Sequence, residues 1–313
     1  MATYTQIDRN ELSEILNPYQ LKVVDFKPIA RGNTNSNYFL RAENGEYMLT
    51  IIEERSSEEI LQLVLLLQWL KQYDFHTSEV YFATDGRSVT DYAGKPILLK
   101  KWLPGAVIEV LSEDQLVQVG KEMAKLHQIP APHYLPTSHP YGHQTFSAVI
   151  GKEIDPHYED WLQNRLDYFE KEFPKNLPTG LVHGDIFSDN VLFEQQILKA
   201  IIDFEEACHY ILVFDIAMGI LGLCQVESKI DLGRAYQVLD GYQQIRTLEE
   251  SEKQFLAFFI EYAAAATSCW RFRKYHIHSP SPHLSNKHRD MMQIAQQIGK
   301  LSKSDFQQAV FPA

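Results

Sequence analysis

Two carboxylates and a carboxamide stand at spacings suited to moving a phosphoryl group. They lie in Leu181-Val182-His183-Gly184-Asp185-Ile186-Phe187-Ser188-Asp189-Asn190-Val191-Leu192-Phe193 and in Ile201-Ile202-Asp203-Phe204-Glu205. Transfer of a γ-phosphoryl group leaves little covalent chemistry to a protein, which must orient the acceptor hydroxyl and offset phosphate charge with a divalent cation. Asp185 has the chemistry of the base, because an ionised carboxylate accepts the hydroxyl proton and sets the direction of attack. Asn190 and Asp203 offer the hard oxygens that Mg²⁺ prefers, shared with the phosphates of ATP. An isolated His-Gly-Asp followed by Asn is a common accident. The apolar flanks and an Ile-Asp-Phe at hairpin distance argue against coincidence here.

These residues need elements to hold them. The apolar runs 191–193 and 200–202, separated by the polar tract 194–199, predict paired strands that return Asp203 beside Asn190, with Asp185 on the loop entering the first. Upstream, residues 23–29, 37–41, 47–52 and 80–83 carry β-branched and aromatic residues broken by turn formers, which predicts an antiparallel N-terminal lobe. Ser56-x-x-Glu59 is a capping box ahead of Ile60, Leu63, Val64 and Leu67 at helical spacing. Ser112-x-x-Gln115 opens a second helix, with Leu116, Val119, Met123 and Leu126 on one face and Pro130 as its stop. Between the two, residues 96–105 read as a strand leaving into the Pro104-Gly105 turn. The expected class is α+β, with a small antiparallel-sheet lobe over 1–100 and a mainly helical lobe over 101–313.

The order His-Gly-Asp, four residues, Asn, then Ile-Asp-Phe resembles the aminoglycoside phosphotransferase and choline kinase superfamily, relatives of the protein kinases. Within it the chain is similar to the type II homoserine kinase subfamily. The similarity lies at Asn33-Thr34-Asn35-Ser36-Asn37-Tyr38-Phe39, Tyr47-Met48-Leu49-Thr50, Phe187 through Phe193, Asp203-Phe204-Glu205-Glu206-Ala207-Cys208, Phe214-Asp215-Ile216-Ala217, Asp240-Gly241-Tyr242, and Ala264-Ala265-Ala266 through Arg271-Phe272 to Arg273. The resemblance implies a bilobal protein-kinase-like fold and an ATP- and Mg²⁺-dependent kinase of small alcohols. Homoserine is the favoured acceptor, ahead of choline, ethanolamine, another amino alcohol or an aminoglycoside. It also implies that Lys101 and Leu103 meet adenine through their backbone where the lobes hinge. Trp102 could flank the purine, though packing is the simpler role for it.

The loop Arg31-Gly32-Asn33-Thr34-Asn35-Ser36-Asn37 is rich in residues that tolerate positive φ, so Gly32, Asn33, Thr34, Asn35, Ser36 and Asn37 are candidates to present amides to ATP phosphates. A turn that only closes a hairpin has the same composition. One departure from the kinase pattern stands out. Thr50 occupies the strand position where relatives place a phosphate-binding lysine, so either another cation such as Arg31 substitutes or the loop and metal carry the charge. That departure also keeps a nucleotide-binding pseudokinase open. Glu58 and Glu59 read equally as solvated first-turn carboxylates. Asp215 reads as a buried acceptor bracing the catalytic loop, and His183 as a brace that bonds backbone. An acceptor with an ammonium and a carboxylate calls for an acid and a guanidinium, which Glu205 or Glu206 with Arg271 and Arg273 could supply; structural salt bridges are the alternative.

Composition agrees. The 313 residues are 45% hydrophobic, ample for a large core, and the net charge of −12 argues against nucleic acid or an anionic membrane as partner. The first residues lack a basic-then-apolar signal, and segments 61–70, 211–224 and 255–270 are too short or carry acids, so a cytoplasmic chain without membrane spans is expected. Cys208, Cys224 and Cys269 form no CxxC pair and read as buried thiols. His276, His278, His283 and His288 sit in a Ser/Pro-rich stretch and read as solvated.

Overall fold

Alternating side chains build the first sheet, in which β1 (Val23–Pro28), β2 (Ser36–Ala42), β3 (Gly45–Ile51), β4 (Val89–Tyr92) and β5 (Lys95–Lys101) pair antiparallel in the order β1-β2-β3-β5-β4. The computed structural model describes residues 5–29 and 35–312. Directly opposed residues share a sheet face. Tyr38, Leu40, Tyr47, Leu49, Ile51, Ile97 and Leu99 therefore make one apolar face, packed with Leu12, Ile15 and Leu16 of α1 (Arg9–Leu16). Asn37, Thr50 and Leu98, and next to them Phe39, Met48 and Lys100, are aligned on the other. The expected capping box opens α2 (Ser57–Gln72), with Ser56 and Glu59 bonding reciprocally, and α2 packs against β4 and β5.

Residues 80–83 do not form the expected strand. Val80 makes one bridge to Lys100 and Tyr81 N donates to Leu99 O, but Ala83 N already turns back to Arg87 O around Asp85 and Gly86. The ladder is taken up instead by β4. This compact unit comprises Ala2–Gly105 together with Lys199–Glu205. The returning segment is tied in by Ile201 N to His76 O, by Phe204 edge-on to Phe75, and by Arg55, whose Nη1 donates to Glu205 O at 2.9 Å while its Nε lies 3.3 Å from the Glu205 carboxylate.

The second unit, Ala106–Leu198 with Glu206–Ala313, is mainly helical. It contains β6 (Ala106–Val107), α3 (Glu113–Gln128), α4 (Pro156–Glu172), β7 (Thr179–Val182) and β8 (Val191–Glu194). A two-residue turn, Gln195-Gln196, both at positive φ, joins β8 to β9 (Ile197–Ile201), along which the chain passes into the other unit. Then come β10 (Cys208–Ile211), α5 (Leu212–Leu223), the hairpin of β11 (Gln225–Val226) and β12 (Lys229–Ile230), α6 (Leu232–Gln243), α7 (Glu250–Phe272), α8 (Lys287–Lys300) and α9 (Lys303–Val310). The Ser112 and Gln115 capping box opens α3, which ends at Ile129 before Pro130. α3 packs on α6, and α7 on α5 and α8, around one large core.

Arg271 lies in the last turn of α7, and Arg273 caps it and opens a wider turn closed by Ser279 N to Lys274 O at 2.8 Å. One expectation needs correction. His288 is not solvated: it is buried on α8, edge-on to Tyr158, and held through Nδ1 by Ser285 O. The three cysteines are buried and unbridged. Among the described residues no helix is long and apolar enough to cross a membrane.

Candidate active site

Pairing of β7 with β10 sets Val182 opposite Cys208 and delivers the chain into the loop 183–190. Asp215, fully buried in the first turn of α5, fixes that loop: Oδ1 accepts from Gly184 N at 2.7 Å, and Oδ2 accepts from His183 N at 3.0 Å and His127 Nε2 at 2.9 Å. Burial by itself would raise the Asp215 carboxyl. The hydrogen bond and charge of His127, with those of His183 and the Gly184 N–H, outweigh it and keep the group below the usual carboxylate range, hence ionised. A buried chain continues outward. His127 Nδ1 meets Tyr242 Oη at 2.7 Å, and Arg246 donates to that oxygen and to Glu252.

The other side of the loop is held by His139, whose Nε2 donates to Gly184 O at 3.1 Å and whose Nδ1 accepts from Tyr141 N at 3.2 Å. Burial pushes its pKa down to about 4, so it braces as a neutral ring. Gly184 has φ +84°, and a Cβ there would lie 2.6 Å from His139 Nε2. Gly222 lets α5 pass beneath, where a Cβ would meet Ile186 O at 2.2 Å. Neither His139 nor His127 carries a local sequence signal; the spacing of His127 from Pro130 marks only a helix end.

Asp185, half-buried, donates its N–H to His183 Nδ1 at 3.2 Å, so His183 bonds backbone. Asn190 Nδ2 donates to Asp185 O at 2.8 Å, which commits the amide nitrogen and leaves the carboxamide oxygen outside these bonds. Asp203, in the other unit, is exposed and held at φ +70°. Burial works against the charge of Arg271, while Asp290, Tyr275 and, least of the three, Asp185 favour it, and its Nη1 donates to Lys287 O. Arg273 Nε is buried and has no hydrogen-bond partner among the described residues. Glu205 belongs to the unit of Asp203, with its carboxylate engaged by Arg55 and by Asn35 Nδ2 at 3.1 Å. Glu206 belongs to the unit of Asp185, and its carbonyl oxygen lies where a Gly184 Cβ would come within 3.0 Å.

Gly32, Asn33 and Thr34, with Arg31, lie outside the described residues. Asn35, Ser36 and Asn37 use their side chains internally. Asn35 Oδ1 accepts from Glu53 N, Ser36 Oγ bonds the Glu53 carboxylate, and Asn37 Oδ1 accepts from Thr50 Oγ1 at 2.8 Å. Ser36 and Asn37 open β2, where Ile29 N donates to Asn37 O at 2.8 Å, and Ser36 is a strand rather than a loop residue. Glu59 is a cap of α2, not a partner for a strand cation. Lys101 N donates to Glu79 O and Trp102 N to Glu46 O, whereas the Leu103 N–H makes no hydrogen bond with the described residues. Trp102 packs edge-on against Phe39. Lys101, Trp102 and Leu103 border a cavity of about 590 Å³ that also touches Phe75, His76 and Glu79.

The phosphotransferase enzyme family matches residues 25–248. A homoserine kinase of Granulibacter bethesdensis is 32% identical over 274 residues, 84% of this chain and 86% of the relative; one of Caulobacter vibrioides is 30% identical over the same shares. The structure of the amicoumacin kinase hAmiN, in complex with AMP-PNP, Ca²⁺ and Ami, superimposes with a TM-score of 0.76 over 96% of this chain and 97% of that one, at 17% identity. The fold is therefore protein-kinase-like, and the chain belongs to the phosphotransferase enzyme family as an ATP-dependent kinase.

Proposed function

We propose that this enzyme transfers the γ-phosphoryl group of Mg²⁺-bound ATP to the side-chain hydroxyl of homoserine. The observation that carries the reading is the loop 183–190, clamped from both sides by Asp215 and His139 so that the backbone before Asp185 is fixed. The names of the relatives support the acceptor.

In this reading Asp185 accepts the hydrogen bond of the acceptor hydroxyl, aims it, and takes up its proton as the phosphoryl group departs from the nucleotide. Arg271 receives the acceptor's carboxylate, a bidentate match that a guanidinium makes well. Glu205 or Glu206 faces the acceptor's ammonium. The donor set fits Mg²⁺: one carboxylate at Asp203 and one carboxamide oxygen at Asn190, to be completed by phosphate and water oxygens. When bound, the cation offsets charge on the transferring phosphoryl oxygens. Residues 32–37 face the phosphates, and Lys101 with Leu103 meets adenine.

The test is ADP release from Mg²⁺-ATP with homoserine, choline, ethanolamine and kanamycin, for the wild type and Asp185→Asn. Homoserine-dependent release that the variant loses is expected. Release with another acceptor alone would overturn the substrate and keep the reaction. Nucleotide binding without turnover on any acceptor, unaltered in Asp185→Asn, would favour a binding module.

A further inference from the structure

Kinase chemistry asks for a cation on the phosphates, and in a chain of net charge −12 it must be placed locally. Thr50 cannot be that group, since it is buried and its hydroxyl is spent on Asn37 Oδ1. The register across β3 and β5 sets Thr50 opposite Leu98 and Met48 opposite Lys100. Lys100 thus stands one diagonal step from Thr50 on the same face, away from the apolar packing of α1.

Its neighbours in sequence are paired: Lys95 with Glu53, and Lys101, together with Lys71, with Glu79. The Lys100 ammonium makes no hydrogen bond or ion pair with the described residues. Burial opposes its charge, while Glu205 and then Asp203 favour it from beyond direct contact. Glu205 is already engaged by Arg55 and Asn35, so Lys100 is not needed to neutralise it. A half-buried cation near the proposed metal carboxylate, with no direct partner of its own, is costly unless an anion joins it.

We propose that Lys100 is the phosphate-binding residue of this enzyme, supplying from β5 the positive charge that Thr50 cannot supply from β3. The proposal rests on the phosphoryl-transfer reading above but not on the acceptor. It is tested by titrating AMP-PNP with Mg²⁺, and adenosine as a phosphate-free control, into wild type, Lys100→Met and Lys100→Arg by calorimetry. Lys100→Met is expected to weaken AMP-PNP about ten- to a hundredfold, as loss of a charged phosphate contact does, with adenosine within about twofold and much of the loss recovered in Lys100→Arg. AMP-PNP binding by a folded Lys100→Met as tight as wild type would overturn it.

A second measurement needs no variant. Lysine acetylation of the wild type, read by mass spectrometry, should be slowed at Lys100 by AMP-PNP and not by adenosine, with Lys22 on the surface unchanged. Equal reactivity of Lys100 with and without AMP-PNP would overturn the proposal. Lys100-dependent nucleotide binding in a protein inert toward homoserine would instead overturn the acceptor and leave Lys100 in its role.

Discussion

Around Asp185, Asp215 of α5, itself held by His127 of α3, and His139 of the segment before α4 clamp the two backbone groups of a single glycine; around Thr50, polar side chains of β2 and β3 bond one another. The first region fixes a carboxylate in space. The second ties two inner strands of the sheet together and has beside it one lysine without a direct partner among the described residues. The contrast follows from the chemistry, because orienting a hydroxyl tolerates little positional error whereas holding phosphate needs charge and amides in the right neighbourhood.

The largest effect that would sharpen this contrast is at Asp185. Asp185→Asn should lower kcat by about 10²- to 10⁴-fold with the KM for ATP little changed, in steady-state assays with a coupled ADP readout. An equal loss from Thr50→Val would erase the distinction. Next, Gly184→Ala combines an unfavourable φ with a Cβ pressed on His139, and should cost about 2 kcal/mol or more of stability while also depressing kcat, measured by denaturant unfolding and turnover together.

Asp215→Asn preserves shape but keeps one acceptor oxygen and sets an amide donor against the N–H of either His183 or Gly184. A loss of about 1–3 kcal/mol is expected, against about 1 kcal/mol for Thr50→Val, which removes one hydroxyl bond. Smallest and most telling is acid titration. The folded pKa of His139, about 4, lies below the ordinary 6.5, so the unfolded chain binds more protons between these values; its contribution is complete above pH 6.5 and lost as pH falls toward 4. In the first unit Glu53 is opposed by burial but held to about 2 by Lys95, Ser36 and Thr5, so its contribution is present above pH 4.5 and lost toward 2. Acid unfolding followed by hydrogen exchange should therefore loosen the loop 183–190 at higher pH than β2 and β3. Simultaneous loosening would break the comparison.

Much of this was legible in sequence because the signals are local. Capping boxes at Ser56 and Ser112 and the strand runs each occupy a few consecutive residues. What escaped depends on distance. β4 was masked because Tyr81 and Phe82 look more strand-like than Val89–Tyr92, and only the turn at Gly86 decides between them. His139 sits in a Pro-rich loop with no pattern around it. Lys100 reads as one of two lysines at a strand end, and only the register tells it from Lys101, which pairs with Glu79.

The seven residues Lys199–Glu205 belong to the compact unit whose other part ends at Gly105. During synthesis the N-terminal sheet is thus complete in strands long before it is complete as a unit. At typical elongation rates the segment bearing Asp203 emerges on the order of ten seconds later. A nascent chain stalled shortly after Gly105 would present an unfilled seam beside Arg55 and Phe75, and a short peptide spanning 199–205 is the natural piece to fill it.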